Sequence, residues 1–441
     1  MRTRYPVTKN EVKLKLFPIQ KQFYDDKTPY LALFAGRGSG KTRVGATKAL
    51  AYAVENPLSI GMIAAPNFTM LRDSSLREFM AVCPPQLIRK FNKSDKIILL
   101  ENDSEILLRS LDDPEKAGRG PSLAWAWIDE AARAYYDSWR AVFAAVRDSD
   151  FKTQLWITTT PKGYNWAWQE FVALERPNYK FMTCSSRDNI FLPEEYVKNL
   201  EEQYKDDPEF ALQEIEGQFT VVGGKPFFNN ETLKKMLSDC IEPRESLEGC
   251  IEIWKTPIIG GKYTAAGDAC WGEKGSYSVL NILDFQTGEQ VAKIRGRLPL
   301  DEFALQTYKL CDRYNRAYLG AEWNGEGKHY INKLIELGYG PRMFHRGDDW
   351  PINESHRGWH TNPTTRPIIL SELEEAVRNF AVRPYSKNTV SEMMSFIRDD
   401  KGKPAHAEGA YDDEVMSLAI AWHMRQVAIF EGKNVIKLVH F

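Results

Sequence analysis

Short apolar runs alternate with amphipathic segments between residues 30 and 185. Four runs have the length and composition of buried strands: 30–34, 58–65, 123–128 and 154–159. Between them, segments 42–54 and 68–82 carry apolar residues at the spacing of amphipathic helices. Strands that alternate with helices predict a mainly parallel sheet that is covered by helices on both faces.

The pattern changes at 221–230, VVGGKPFFNN, where two glycines and a proline are typical of a linker. A second α/β pattern follows, with strands expected at 263–268, 278–284, 289–295 and 317–322. Helices are expected at 300–314, 330–337 and 412–426. We therefore predict a first domain at 1–220, a linker and the start of a second domain at 221–255, and the rest of that domain at 256–441.

Composition is that of a globular protein, with 43% hydrophobic and 27% charged residues in 441. No apolar stretch is long enough to span a membrane, and the first residues lack a signal-peptide pattern, so we expect a cytoplasmic protein. The six cysteines are scattered without zinc-ligand spacing, which predicts free thiols. Because the net charge is only −2, any binding of nucleic acid must rely on a local basic track.

The strongest motif is AGRGSGKT at 35–42, which fits the phosphate-binding pattern G-x-x-x-x-G-K-[ST] with alanine in first place. Its glycines let backbone N–H groups curl around phosphate oxygens, and the next helix turns its positive end toward them. Lys41 is expected to reach the β- and γ-phosphates of ATP, and Thr42 to ligate Mg²⁺. The other expected nucleotide-binding residues of the loop are Gly36, Arg37, Gly38, Ser39 and Gly40.

An acidic pair, Asp129 and Glu130, follows the apolar run 123–128. Acids at the end of a buried strand suit a nucleotide-bound metal ion and its attacking water. We expect Asp129 to hold Mg²⁺ through water and Glu130 to polarise the hydrolytic water. Alone, the pair could equally cap the following helix, but a preceding phosphate loop favours the catalytic interpretation.

Three weaker features surround this site. Thr158, Thr159 and Thr160 follow a strand, where hydroxyls could couple the γ-phosphate to DNA-gripping loops, although threonine-rich turns are common. Gln20 could read the adenine edge, although a surface glutamine is the default. Arg37 either stabilises transition-state charge or fixes the loop by pairing with an acid, and both roles stay open.

In the second half, Asp268, Glu322 and the pair Asp412–Asp413 stand at the ends of predicted strands or at a helix start. Each alone could be a turn, strand-end or capping residue. With the first acid on strand one, the second on strand four and the third on a late helix, the order matches a ribonuclease H-like mixed sheet. Converging carboxylates can hold two Mg²⁺ or Mn²⁺ ions for phosphodiester cleavage. Both aspartates stay candidates, and the geometry of a helix start favours Asp413.

Basic and aromatic residues accompany these acids and could follow a DNA backbone, although an ordinary polar surface is the plainer interpretation for most of them. They are Lys328, His329, Arg342, His345, Arg346, His356, Arg357, Trp359, His360 and Arg366.

Taken together, the motifs resemble the large terminase subunits of tailed bacteriophages over nearly the whole chain. The resemblance rests on the phosphate loop with an internal arginine, on IDEA at 128–131 and on TTTP at 158–161. Further along it rests on AGD at 266–268, AEWNG at 321–325, GWHTN at 358–362 with Arg366, and YDDEV at 411–415. Alanine at the start of the loop and the doubled aspartate depart from the family pattern.

This resemblance implies an α/β architecture: a P-loop ATPase domain of the RecA/ASCE type followed by a ribonuclease H-like nuclease domain. It implies ATP-driven movement of double-stranded DNA into a procapsid and cutting of concatemeric DNA. It also implies a portal protein and a small terminase subunit as partners, a pentameric ring, and a place in the host cytoplasm with transient docking on the portal. A trans-acting arginine is expected, with Arg72, Arg109 and Arg119 as unranked candidates.

Two alternatives remain at this point. A superfamily 2 helicase or translocase would use the same phosphate loop, acidic pair and threonines, but it needs a second ATPase-like domain. The C-terminal half could also be a non-catalytic docking module, in which case its acids would not cleave DNA.

Overall fold

The computed structural model describes residues 7–8, 11–12, 14–220, 225–270, 276–346, 353, 356–399, 401–407, 410–428 and 430. The chain divides into two compact units, Met1–Val222 and Gly223–Phe441. The start of the predicted linker, 221–224, lies outside the described residues. Among the described helices, none has the length and apolar character needed to cross a membrane.

The elements of the first unit follow in chain order. Its strands are β1 (Val7–Thr8), β2 (Glu11–Val12), β3 (Tyr30–Ala35), β4 (Ile60–Ala65), β5 (Ile88–Asn92), β6 (Ile97–Leu100), β7 (Glu105–Ser110), β8 (Trp125–Asp129), β9 (Gln154–Thr159) and β10 (Tyr179–Cys184). Its α-helices are α1 (Pro18–Asp25), α2 (Lys41–Glu55), α3 (Phe68–Met70), α4 (Arg77–Val82), α5 (Pro114–Ala117), α6 (Tyr136–Ala145), α7 (Trp166–Trp168), α8 (Glu194–Gln203) and α9 (Pro208–Glu214). Two π-helical stretches, Leu71–Leu76 and Gln169–Ala173, continue α3 and α7.

An eight-stranded sheet with the order β10-β3-β9-β8-β4-β7-β6-β5 forms the centre of this unit. The six strands from β10 to β7 are parallel, which confirms the predicted mainly parallel sheet. The hairpin of β5 and β6 adds an antiparallel edge that the alternation of strands and helices does not predict. The central strands are buried along nearly their whole length because helices cover both faces.

Two glycines make room for two tryptophans in this core. A Cβ atom on Gly61 would lie 1.9 Å from the ring of Trp125, its neighbour on β8. A Cβ atom on Gly45, inside α2, would lie 2.5 Å from the ring of Trp127. Glycine costs about 1 kcal/mol relative to alanine inside a helix. The close approach of α2 to β8 therefore outweighs helix propensity, and it sets the phosphate-loop helix directly over the strand that ends in Asp129.

The described elements of the second unit begin at Lys225, within the segment 221–255. Its strands are β11 (Lys225–Pro226), β12 (Glu245–Leu247), β13 (Ile251–Ile253), β14 (Tyr263–Asp268), β15 (Ser278–Asp284), β16 (Gln290–Gly296), β17 (Tyr318–Ala321), β18 (Phe396–Arg398) and β19 (Pro404–His406). Its helices are α10 (Asn230–Ser238), α11 (Leu300–Arg313), α12 (Gly327–Glu336), α13 (Thr365–Arg378), α14 (Lys387–Met394) and α15 (Asp413–Val427).

A six-stranded mixed sheet with the order β12-β13-β16-β15-β14-β17 organises this unit. Among its described strands, only β14 and β17 are parallel neighbours. Side chains alternate between the faces of a strand. On β14, Thr264 donates to a carbonyl of α15, whereas Tyr263 and Ala265 pack in the core with α11 and α12. Asp268 shares the parity of Thr264, so it faces the α15 side of the sheet.

Candidate functional site

The phosphate loop joins β3 to α2 and carries two left-handed glycines, Gly38 (φ 73°) and Gly40 (φ 79°). Gly40 precedes α2 directly, so the first turn of that helix opens toward the loop. At the base of the loop, a Cβ atom on Gly36 would lie 2.2 Å from the carbonyl oxygen of Ile215. These positions therefore require glycine for backbone reasons, as the motif predicts.

Arg37 is bound by a residue that the sequence did not single out. Its Nε lies 2.5 Å from Oε2 of buried Glu214, and its backbone N–H donates to the Glu214 carbonyl at 2.7 Å. Ser186 and Asn189 donate from their side chains to the carbonyls of Arg37 and Gly38. The loop is thus fixed from outside by 186–189 and by the end of α9, and Arg37 adopts the loop-fixing arrangement.

Asp129 is completely buried at the end of β8 and accepts hydrogen bonds at both carboxylate oxygens. Thr42 Oγ1 lies 3.3 Å from its Oδ1, and Thr158 Oγ1 donates to the same oxygen at 2.8 Å. Burial and the adjacent charge of Glu130 raise the pKa of Asp129 to about 6. The structure therefore brings together Thr42, Asp129 and Thr158, three of the predicted residues.

Glu130 adopts a left-handed backbone conformation (φ 51°), which costs a non-glycine residue about 1–2 kcal/mol. Its Oε1 lies 3.3 Å from Nζ of Lys41. Strained backbone of this kind is concentrated at functional sites. Because of this left-handed conformation, the Glu130 side chain points back toward the phosphate loop, although the backbone leaves the sheet at this residue.

The other residues predicted for this site either lie in it or make hydrogen bonds that stabilise it. The Trp127 indole donates to Thr158, so Thr158 relays a hydrogen bond from the core to Asp129. Thr159 accepts the backbone N–H of Ala132, and its hydroxyl donates to the Thr160 carbonyl. Gln20 is buried and donates through Nε2 to the Gly40 carbonyl at 3.1 Å. Gln20 thus stabilises the backbone of the phosphate loop at Gly40.

A phosphate group fits the donors that this loop presents. The Ser39 hydroxyl is buried and has no hydrogen-bond partner within the described residues. An unpaired buried hydroxyl is costly, and a phosphate oxygen would satisfy it. Thr42 and Asp129 supply the hydroxyl and carboxylate oxygens that Mg²⁺ prefers. The arrangement suits a magnesium–nucleotide complex.

In the second unit, Asp268 and Glu322 follow neighbouring parallel strands. Gly267 is paired with Ala321, and the Glu322 N–H donates to the Gly267 carbonyl at 2.9 Å. Burial and then the charges of Glu322 and Asp413 raise the pKa of Asp268 well above its usual range. Burial also raises the pKa of Glu322. A divalent cation would relieve this repulsion, which makes the pair suited to metal binding.

Asp412 and Asp413 precede and begin α15, and their environments differ. Arg366 Nη2 lies 2.8 Å from Oδ2 of Asp412. Asp413 Oδ2 accepts the backbone N–H of Tyr277 at 2.8 Å, and burial raises the pKa of Asp413 to about 6. No three His, Cys, Asp or Glu side chains in the described part of the chain already form a metal-binding group. The charges of both aspartates contribute to the raised pKa of Asp268, so they are its electrostatic neighbours.

Two glutamates that the sequence pattern did not identify, Glu392 and Glu414, stabilise the start of α15. Glu392 Oε1 accepts the backbone N–H groups of Glu414 (2.6 Å) and Val415 (3.0 Å), which caps the helix from another element. Glu414 is completely buried, and burial alone would raise its pKa. Lys293 and Arg295, each 3.0 Å away, outweigh that effect and lower the pKa of Glu414. Only the tertiary structure reveals these contacts, since the partners are far apart in sequence.

Some of the basic and aromatic residues near these acids contact one another, and others have partners elsewhere. The rings of Trp323 and His360 stack at 5.4 Å, and Lys328 lies 5.7 Å from the Trp323 ring centre. By contrast, Arg357 donates to Asn332 and Trp359 is buried. Trp323 follows Glu322 directly, so this stacked pair adjoins the acids.

Comparison with known proteins agrees with this architecture. A family model described as phage terminase large subunit matches residues 27–218. The PBSX phage terminase large subunit of Bacillus subtilis (strain 168) is 25% identical over 253 residues, 52% of this chain and 56% of that protein. The chain therefore matches little more than half the length of this curated relative.

Solved structures extend the comparison. The large terminase of bacteriophage HK97 superposes with a TM-score of 0.52 at 14% identity, over 95% of this chain and 97% of that one. The large terminase of a thermophilic bacteriophage, solved in complex with ADP, matches over 92% of this chain and 98% of that one, at a TM-score of 0.45 and 14% identity. The HK97 likeness confirms the predicted fold of both units.

All six cysteines are free thiols, as the sequence predicts. The family model on residues 27–218, the Bacillus relative and the HK97 fold each show that this chain is similar to phage terminase large subunits.

Proposed function

We propose that this protein is an ATP-driven DNA-packaging motor joined to a metal-dependent DNA endonuclease. One observation carries the proposal: a single chain holds both a phosphate loop facing buried Asp129 and a separate pair of carboxylates, Asp268 and Glu322, at the ends of neighbouring strands. In the motor, Lys41 binds the β- and γ-phosphates, Thr42 and Asp129 hold Mg²⁺, and Glu130 polarises the attacking water. The contact between Lys41 and Glu130 and that between Thr42 and Asp129 support these roles.

In the nuclease, Asp268, Glu322 and Asp413 hold two Mg²⁺ or Mn²⁺ ions. Two such ions activate water and stabilise the leaving oxygen in phosphodiester cleavage. The raised pKa values of Asp268 and Asp413 support this assignment, because carboxylates that repel one another gain most from a cation. Asp412 acts beside them while paired with Arg366.

The substrate that fits both chemistries is double-stranded DNA, which the motor moves and the nuclease cuts. Similarity to phage terminase large subunits supports a procapsid portal and a small terminase subunit as partners, a pentameric ring on the portal, and action in the cytoplasm of the infected cell. The domain limits 1–220 and 256–441, with 221–255 between them, are proposed as the working division of these activities.

A superfamily 2 helicase is disfavoured by the second sheet. A helicase of that type needs a second ATPase-like domain, which has a largely parallel sheet. Here the second unit has one parallel pair among the six strands described for this sheet. Its strand arrangement supports a ribonuclease H-like domain.

Two substitutions test the two activities independently. Lys41→Ala should abolish ATP hydrolysis and leave Mn²⁺-dependent plasmid cutting largely intact. Asp268→Ala should do the reverse. An unchanged ATPase rate in the first variant would remove the motor assignment. Unchanged cutting in the second would make the C-terminal unit a non-catalytic docking module.

A further inference from the structure

The helical segment from Phe68 to Val82 changes its winding in the middle. It begins as α3, continues as a π-helix over Leu71–Leu76, and ends as α4. π-Helical turns are rare and occur often at functional sites, because the wider turn must be stabilised by contacts around it. This turn lies beside the end of β8, where Asp129 is placed.

Two consecutive serines of the π-helical turn face one carboxylate oxygen. Ser75 Oγ donates to Asp129 Oδ2 at 2.9 Å, and Ser74 Oγ lies 3.4 Å from the same atom. In an α-helix, successive residues are rotated by about 100° and cannot both face one point. A π-helical turn rotates them by less, which brings the two hydroxyls closer to a common direction.

The hydroxyl groups divide between the two oxygens of Asp129. Oδ1 is shared by Thr42 and Thr158, whereas Oδ2 receives the hydroxyls of Ser74 and Ser75. Ser75 is completely buried, so water does not compete for its hydroxyl. The serines therefore fix the rotation of the carboxylate and leave Oδ1 turned toward Thr42.

A second contact ties the same helix to the phosphate loop. Arg43, next to Thr42 in α2, binds Glu78 in α4 with Nη1 2.8 Å from Oε1. Both groups are largely buried, so the pair is less weakened by solvent than a surface ion pair. The helix thus contacts both sides of the magnesium site, Thr42 through its neighbour and Asp129 directly.

We propose that Ser75, assisted by Ser74, is a positioning residue of the magnesium–nucleotide site that orients Asp129 through the π-helical turn. The proposal rests on the ATPase function proposed above. Partners of metal-binding groups typically contribute about 10–100-fold to metal affinity or activity. Removal of the Ser75 hydroxyl should therefore weaken the part of nucleotide binding that depends on Mg²⁺.

The test compares Ser75→Ala with Ser138→Ala. Ser138 is an equally buried serine of the same unit whose hydroxyl donates to the Leu111 carbonyl at 2.8 Å, away from the nucleotide site. ADP binding to the full chain is measured by calorimetry with Mg²⁺ and with EDTA. The Mg²⁺ concentration for half-maximal ATP hydrolysis is measured in parallel.

Ser75→Ala should lower the affinity gained from Mg²⁺ about 10-fold and leave binding in EDTA unchanged. Ser138→Ala should change neither. Equal Mg²⁺ dependence in both variants overturns the proposal. If Ser75→Ala does not fold, Ser74→Ala should show a smaller shift in the same direction, and no shift again overturns it. Absence of ATP hydrolysis and of Mg²⁺-dependent ADP binding in the unaltered protein would instead refute the ATPase function.

Discussion

Arg366 forms an ion pair with Asp412, with Nη2 2.8 Å from Oδ2, and its positive charge partly compensates the charge of this aspartate. The same guanidinium donates to the Pro404 carbonyl at 2.6 Å, so its position is fixed by two partners. Asp413 instead accepts a backbone N–H from Tyr277. The two aspartates, adjacent in sequence, are therefore chemically distinct: Asp412 forms an ion pair with Arg366, whereas Asp413 is held by a backbone amide.

This difference predicts unequal roles in cleavage. Asp413→Asn should lower Mn²⁺-dependent plasmid cutting by about 100-fold or more, whereas Asp412→Asn should lower it by about 10-fold or less, as expected for a supporting partner. Cutting rates over a range of Mn²⁺ concentrations measure both effects. Each variant should keep the ATPase rate of the unaltered protein as a control. A larger loss in Asp412→Asn would assign the metal ligand to Asp412.

Local patterns in the sequence were sufficient to predict much of the fold. The phosphate loop lies between β3 and α2 because a buried strand, a glycine-rich turn and an amphipathic helix follow one another directly. β14 and β15 have the predicted limits because mainly apolar, β-forming runs are followed by polar or turn residues that mark their ends. The edge strand β5 was not predicted, since its polar and exposed residues lack the continuous apolar pattern of the central strands.

The supporting contacts of both sites could not be predicted from the sequence. Ser75 lies 54 positions from Asp129, and Arg366 lies 46 positions from Asp412. Neither pair forms a local motif, and a serine in a helical pattern reads as an ordinary helix residue. The π-helical turn is itself a consequence of tertiary contacts, so residue spacing alone predicted only an unbroken helix over 68–82.

Arg37 and Glu214 provide a test between the two roles that the sequence left open. If Arg37 fixes the phosphate loop, Arg37→Ala, Glu214→Gln and the double variant should weaken ADP binding to a similar extent, because each removes the same contact. If Arg37 acts on transition-state charge, Arg37→Ala alone should lower kcat while Glu214→Gln leaves it unchanged. The 2.5 Å contact leads us to expect the non-additive result. ADP affinity and kcat for the three variants decide it, and additive losses would contradict loop fixing.

We expect Lys48 to make the stability of the first unit dependent on pH. Its buried Nζ lies 2.6, 3.0 and 3.3 Å from the carbonyl oxygens of Asp26, Tyr24 and Phe23, at the end of α1. Burial lowers the pKa of Lys48 from 10.5 to about 7. Above pH 7, Lys48 in the folded state has therefore released a proton that Lys48 in the unfolded chain still binds. Because the unfolded state binds more protons, the free energy of unfolding rises with pH until the pKa of Lys48 in the unfolded chain is reached.

Lys48→Met should remove this pH dependence, since methionine keeps an unbranched buried side chain without a titrating group. Between pH 7.5 and 9.5, the free energy of unfolding of the unaltered protein should rise relative to that of Lys48→Met, by at most about 1.4 kcal/mol per pH unit. Urea unfolding at several pH values measures the difference. Lys198 is exposed, so Lys198→Met serves as the control: its free energy of unfolding should change with pH in the same way as that of the unaltered protein. Other titrating groups are common to the proteins compared and cancel in the difference. A constant difference between the unaltered protein and Lys48→Met would mean that the carbonyls at the end of α1 keep Lys48 charged throughout this range, and the proposed proton release would be wrong.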